Sequence, residues 1–433
     1  AAGGALTTGT GNTLFGHQAG LVLTTHESNS IFGYNAGIAL VESNNVIMGR
    51  NAGKAATSAN GNVIIGDAAV ETGVLTGNNN VVIGKLAGND MTSAAGNVLI
   101  GEDAGANLTT GGSNVVIGQG AGEALTSPDR SIFIGVNAGN GHDTENDNLG
   151  IGHDSLGASI AGGEYNVAVG NYTLDALTSA DKCVAVGYQA GSAITTGGAN
   201  TLVGNETGKS ITTGTFNTFV GFEAGDNFDA ESNNLGIGAS ALGGAIAGGE
   251  FNVAIGNNSL DALTSADFVT AVGYNAGSAV TTGGYNTLIG YQSGDAITDA
   301  DGNVGVGHEA LGGNVHGDRN TAIGYAALRS HTIASKGDVG NTAVGWAAGV
   351  DVTTGDGNTL IGHQAYSVSG GVLTTGSSNV AIGMDLTINN PAHSNSICLG
   401  QGIEGYTDRF SFGRAGNVVE NTFTSDANWA RSS

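Results

Sequence analysis

Proline is almost missing from this chain, with 2 residues in 433, and cysteine is as scarce, with Cys183 and Cys398 alone. Two cysteines cannot make a disulfide framework, so they carry no information about redox compartment. Cations are few as well: 12 Lys and Arg face 37 Asp and Glu, a net charge of −25. That balance repels phosphate backbones and anionic lipid, so nucleic acid is excluded as an expected partner. Charged residues make up only 11% of the chain, too few for a solvated disordered tail. No apolar run approaches the roughly 18 residues of a membrane helix and no segment is laid out as a signal peptide, so membrane insertion is not expected. The opening at Ala1 rather than Met reads as a processed or partial chain.

What is abundant is glycine, 78 residues, and it is periodic. A phrase recurs as Asn12-Thr-Leu-Phe-Gly16, Asn62-Val-Ile-Ile-Gly66, Asn114-Val-Val-Ile-Gly118 and Asn252-Val-Ala-Ile-Gly256, among others. Its closing glycine appears in 23 copies between Gly16 and Gly400, and 16 of the 22 spacings are 17, as from Gly101 to Gly118. Spacings of 18, such as Gly66 to Gly84, begin at Gly66, Gly152 and Gly238, 86 residues apart, so five rungs make a super-repeat. Two spacings widen to 21, from Gly324 to Gly345 and from Gly362 to Gly383, which predicts longer loops near residues 330–339 and 366–376. A unit this short cannot hold a helical hairpin, but it suits one turn of a parallel β-solenoid. The expected architecture is an all-β, parallel solenoid over residues 1–400, followed by a distinct cap or tip over 401–433.

The chemistry within the unit agrees. The closing glycine suits a corner with positive φ or close backbone approach. Stacked asparagines can bond in a ladder or adopt the left-handed turn conformation. The residue before the glycine is apolar in all 23 copies; together with the residue two earlier, it is expected to face the core. The position between them is also apolar or small, as in Leu14, Val116 and Ala168, which makes a second dry face and points to a neighbouring chain. Thr pairs such as Thr109-Thr110 and Thr195-Thr196 are expected to close a second strand in each turn. A thin core rich in Ala and Gly would struggle to offset the ordering entropy alone, which also argues for an obligate homo-oligomer.

The phrase Asn-x-Ala-Ile-Gly-x-x-Ala resembles the head repeats of trimeric autotransporter adhesins, which use a shorter unit, and those of many phage tail fibres. The C-terminal stretch Arg409-Phe-Ser-Phe-Gly-Arg-Ala-Gly-Asn-Val-Val and Ser425-Asp-Ala-Asn-Trp-Ala-Arg-Ser-Ser433 resembles the sequence just before the endosialidase-type intramolecular chaperone of tail fibres. That resemblance implies a homotrimer, processing after Ser433, location in a virion tail fibre or at a cell surface, and contact with a host-surface glycan or protein. A bacterial trimeric adhesin is the nearest alternative.

Candidate sites are sparse. Tyr406, Arg409, Phe410, Phe412, Phe423, Trp429 and Arg431 concentrate rings and cations near the C-terminus, which suits sugar or protein recognition or the packing of a trimeric cap. His17, His153, His308 and His363 directly follow a repeat glycine, a position that elsewhere varies freely and reads as exposed. The acidic turns at Asp143-Thr-Glu-Asn-Asp-Asn and Asp226-Asn-Phe-Asp-Ala-Glu read as solvated turns or as Ca²⁺ sites; no other metal or cofactor is expected. No Gly-x-Ser-x-Gly elbow and no zinc spacing is found, so the chain is not read as an enzyme. The rival classes are a polysaccharide depolymerase with paired carboxylates and an ice-binding solenoid built on the Thr column. Adjacent threonines put only one of each pair outward.

Overall fold

A computed structural model describes residues 1–159, 161–245, 247–368, 374–388 and 390–422. The chain is all-β, a parallel β-solenoid of about 23 turns that climbs one rung per unit of about 17 residues. Contacts divide it into two compact units, Ala1–Asn217 and Thr218–Ser433. The first unit runs through twelve three-residue strands from Thr13–Phe15 to Thr201–Val203. Neighbouring strands are parallel and in register, as where Val115, Val116 and Ile117 pair with Ile132, Phe133 and Ile134. The second unit repeats this from Thr218–Val220 to Arg409–Arg414, which turns back on Asn417–Thr422 as an antiparallel hairpin.

The strands are short because both ends are turned. The corner glycines Gly16, Gly66, Gly118 and Gly256 have φ of 126, 147, 141 and 133°. A Cβ on Gly118 would overlap the Gly135 carbonyl oxygen, and one on Gly66 would overlap that of Gly84. The corner column is therefore closed to any larger residue, and it extends past Gly400 to Gly413, one turn beyond the periodic phrase.

At the other end of each strand the asparagines form the expected ladder. The Asn62 carbonyl accepts from the Asn80 backbone N–H at 2.8 Å and its amide at 3.0 Å, while the Asn62 amide donates to the Gly77 carbonyl at 3.2 Å. Asn12 accepts from Asn29 in the same way. Asn114 bridges the Pro128 carbonyl and the Ser131 N–H, and Asn252 bridges the Ala266 carbonyl and the Val269 N–H. The left-handed residue is the one before the ladder position, for example Asn79, Ser113 and Phe251.

The inward face is the opposite of the one expected from composition. The middle residue of the strand is buried, as in Ile31, Val116, Phe133 and Phe219, while the flanking pair is half-exposed or exposed. The ladder asparagine explains it. Its side chain is buried, and side chains alternate along a strand, so the residue two later must also point in. The middle column then trades volume between rungs. A Cβ on Gly150 would come within 3.1 Å of Phe133, and one on Gly236 within 2.9 Å of Phe219, so each large ring sits against a bare glycine. The outer columns carry mostly Val, Ile and Thr, and no such trade is needed there.

Alanines three residues past the corner, such as Ala19, Ala36 and Ala104, complete the core beside Leu23, Leu40 and Leu108. In some turns a large residue takes the left-handed position that is glycine elsewhere, as with Leu174 and Leu260, both fully buried. The conformational cost of about 1–2 kcal/mol is offset by burial worth roughly 1.5–3 kcal/mol.

The second strand of each turn is also corrected. The Thr segments do bond rung to rung, the Thr109 N–H and hydroxyl both reaching the Thr126 carbonyl at 2.8 Å. Their surrounding turns keep them from becoming regular strands, and among the described residues short second strands occur only in the second unit. There the lengthened turn after Gly324 contributes Gly337–Asp338, paired with Gly317–Asp318. The lengthened turn after Gly362 contributes Ser367–Val368, paired with Thr387–Ile388; residues 369–373 lie outside the described set.

Candidate binding surfaces

Because the flanking strand residues point outward, each unit carries two parallel columns of them. In the first unit these are Val81 and Ile83, Val98 and Ile100, Val115 and Ile117 in successive turns. No strand position of either column is charged from Thr13 to Leu399, although the chain carries −25. Ile382 remains 41% exposed and Met48 44%, so the surface is uncharged and open in this chain.

The C-terminal residues singled out above fall into two groups. Phe410 and Phe412 pair in register with Ile397 and Leu399 and so continue the outward columns, their rings 6.2 Å apart. Tyr406 and Arg409 belong instead to a polar cluster. The Arg409 guanidinium lies 5.1 Å from the Tyr406 ring centre and pairs with Glu420 at 3.0 Å, while the Tyr406 hydroxyl donates to Glu404 at 2.8 Å. That hydrogen bond, with Glu404's charge, raises the Tyr406 pKa. Phe423, Trp429, Arg431 and Ser433 lie outside the described residues.

The acidic turns are built around carboxylates bound to backbone. Glu145 is buried and accepts from the N–H groups of Asp143, Thr144 and Gly162 at 3.0–3.1 Å. Glu231 repeats this one super-repeat later, with Asp229 and Gly248 at 2.9 Å. These oxygens serve as turn staples, and among the described residues no grouping of three or more His, Cys, Asp or Glu could hold a metal ion. Cys183 fills an asparagine slot, its thiol 3.4 Å from the Gly197 carbonyl, and burial raises its pKa. Cys398 lies in the middle column and burial raises it to about 11, so neither is a ready nucleophile.

The position after the corner glycine holds more than isolated exposed histidines. In the second unit Tyr274, Tyr291, His308, Tyr325, Trp346 and His363 follow successive corners and stack, with centroids 4.8–5.7 Å apart and planes within 20°. A second stack joins Phe251, Phe268 and Tyr285. In the first unit His17 stacks on Tyr34 at 5.0 Å, whereas His153 and Tyr172 are tilted by 59°. The signal for the long stack was present as rings one period apart, but it emerges only when consecutive turns are compared. No protein-family model matches this chain, and no curated protein matches it in sequence.

Proposed function

We propose that this chain is the shaft and surface-binding part of an extracellular fibre of the phage tail-fibre kind, and that copies associate as a homotrimer through the outward uncharged columns. The observation that carries the reading is a charge-free, half-exposed face, built mostly of Val, Ile and Thr, on a chain with net charge −25. In projection, twelve rungs of two columns make on the order of 500 Å² in either unit, from rung and side-chain spacing. That is already at the top of what a monomer leaves exposed, and more than half of the roughly 800 Å² per partner that a stable interface takes. Copies this acidic can approach only across a face without charge, so self-association is favoured over an acidic partner. The three-fold number comes from the resemblance of the repeat phrase and of the Arg409–Val419 stretch to tail fibres.

Sedimentation equilibrium on the purified chain at micromolar concentration tests the assembly, with an expected mass three times that of the 42.5 kDa chain. A monomer would remove the proposal. Adsorption of the fluorescently tagged protein to candidate host cells, competed by excess untagged protein, tests the surface-binding half.

A further inference from the structure

The ring stack of the second unit adjoins a groove, and the two share residues next to one another in sequence. The groove, about 380 Å³, is lined by Gln292, Asp295, Glu309, Gly312, Gly313 and Arg329. Gln292 follows Tyr291 and Glu309 follows His308. The groove exists because the position five residues past the corner, which carries Asp295 in one turn and Arg329 two turns on, is bare at Gly312 between them. Removing one side chain from a column opens a notch one rung tall, with a carboxylate and a guanidinium as its side walls.

Ring geometry sets what can lie beside it. Rings in face-to-face contact are separated by about 3.5 Å, whereas the centroids of Tyr291, His308 and Tyr325 stand 4.9 and 5.0 Å apart, at the spacing of the rungs. Tyr291 and Tyr325 keep 45% and 44% of their surface exposed. The result is a stair of partly exposed rings at rung spacing, next in sequence to polar side chains. Such a stair matches a chain of pyranose rings, whose C–H faces pack on aromatics while equatorial hydroxyls seek carboxylate, amide and guanidinium partners.

Charge selects among sugars. Arg329 is already engaged by Glu309 at 3.4 Å, and Asp295 adds a further carboxylate in a strongly acidic chain. An anionic saccharide would meet repulsion here. Partial burial raises the Asp295 pKa, and the nearby Glu309 adds to it. The corresponding notch of the first unit, lined by Asn140, Asp154, Gly157, Ala158, Tyr172 and Asp175, has about 260 Å³, and Tyr172 itself stands in it.

We propose that Tyr291, His308 and Tyr325, with Gln292, Asp295, Glu309 and Arg329, form a binding site for a neutral oligosaccharide. The site rests on the surface-binding reading and gives it a ligand class and a location away from the C-terminal hairpin. The test is calorimetry on the full chain with maltohexaose, cellohexaose and N-acetylated chitohexaose, and with hexagalacturonate as the acidic competitor. At least one neutral probe should bind. Tyr291→Ala and Tyr325→Ala should each weaken it about tenfold, the scale of one lost ring contact, and Glu309→Gln should weaken it without altering the melting temperature. Tyr34→Ala, which unstacks a ring in the first unit, should leave binding unchanged. No binding by any neutral probe, preference for hexagalacturonate, or equal loss in Tyr34→Ala would overturn the site. If Tyr291→Ala/Tyr325→Ala still adsorbs to host cells while no oligosaccharide binds the parent chain, the site fails and the fibre reading survives.

Discussion

Several turns of Ala1–Asn217 match the residue after the corner glycine to its neighbour by charge, whereas Thr218–Ser433 matches it by ring stacking. In the first unit Arg50 pairs with Asp67 and Lys85 with Glu102, each at 2.7 Å. In the second, six rings from Tyr274 to His363 stack with planes within 20°. The difference teaches what a one-rung repeat demands of its surface. Identical positions are stacked a rung apart, so a column cannot repeat one charge without repulsion. It can alternate sign or use groups that favour their own kind. Alternating pairs leave a hydrated surface, and rings leave a sticky one.

The units should not differ at the corners. Gly118→Ala in the first unit and Gly290→Ala in the second both force a Cβ onto the carbonyl oxygen of the next turn's corner, at φ of 141 and 138°. Each should cost at least about 4 kcal/mol, read as loss of the cooperative melt or as local amide exchange confined to the altered unit. Unequal losses would mean that the units do not share one corner.

Acid should separate them at a homologous core position. His142 packs on Phe133 at 4.8 Å, and one super-repeat later Phe228 packs on Phe219 at 4.9 Å. Burial, only partly opposed by the Leu156 backbone, pushes the His142 pKa down to about 3 from 6.5. The unfolded chain takes up a proton as pH falls through 6.5, while the folded chain resists until about 3. Stability contributed by this neutral histidine is therefore complete above pH 6.5 and lost progressively down to about pH 3, by roughly 3–5 kcal/mol. His142→Phe should abolish that part of the acid sensitivity of the first unit, and Phe228→His should create it in the second. Amide exchange at acid and at neutral pH reads both.

Asn114→Ala should cost about 2–3 kcal/mol, because the Ser131 N–H and the Pro128 carbonyl lose their buried partner. Asn286→Ala, which strands the Asn303 N–H and the Ala300 carbonyl, should cost the same in the second unit. The smallest effect is that of salt. Raising it to molar concentration screens the exposed Arg50–Asp67 and Lys85–Glu102 pairs and should leave the ring stack untouched. Melting of a Lys85→Met variant should then be less salt-dependent than that of Tyr325→Ala.

Some of this was readable in advance. Gly16, Gly66 and Gly118 fall on one edge of the first unit, and Gly256 holds the same corner in the second, because a corner that admits no Cβ must be glycine in every turn. The asparagine ladder was readable for a similar reason, since its amide does the same work on each rung. The ring stack was obscured because the same column holds Arg50, Lys85 and Gln119 elsewhere, and variability over the whole chain hid order over six neighbouring turns. The groove at Gly312 was obscured because a single missing side chain matters only through what stands above and below it.

Period and rung count followed from the order of residues alone, because turn chemistry is local and this chain repeats it with few slips. Which face of the strand is inside did not follow. Three apolar residues in a row read alike from either side, and one step of parity exchanges core for surface. Only folding the asparagine amide inward, onto the carbonyls of its own and the next turn, settles that parity and leaves the branched side chains outside.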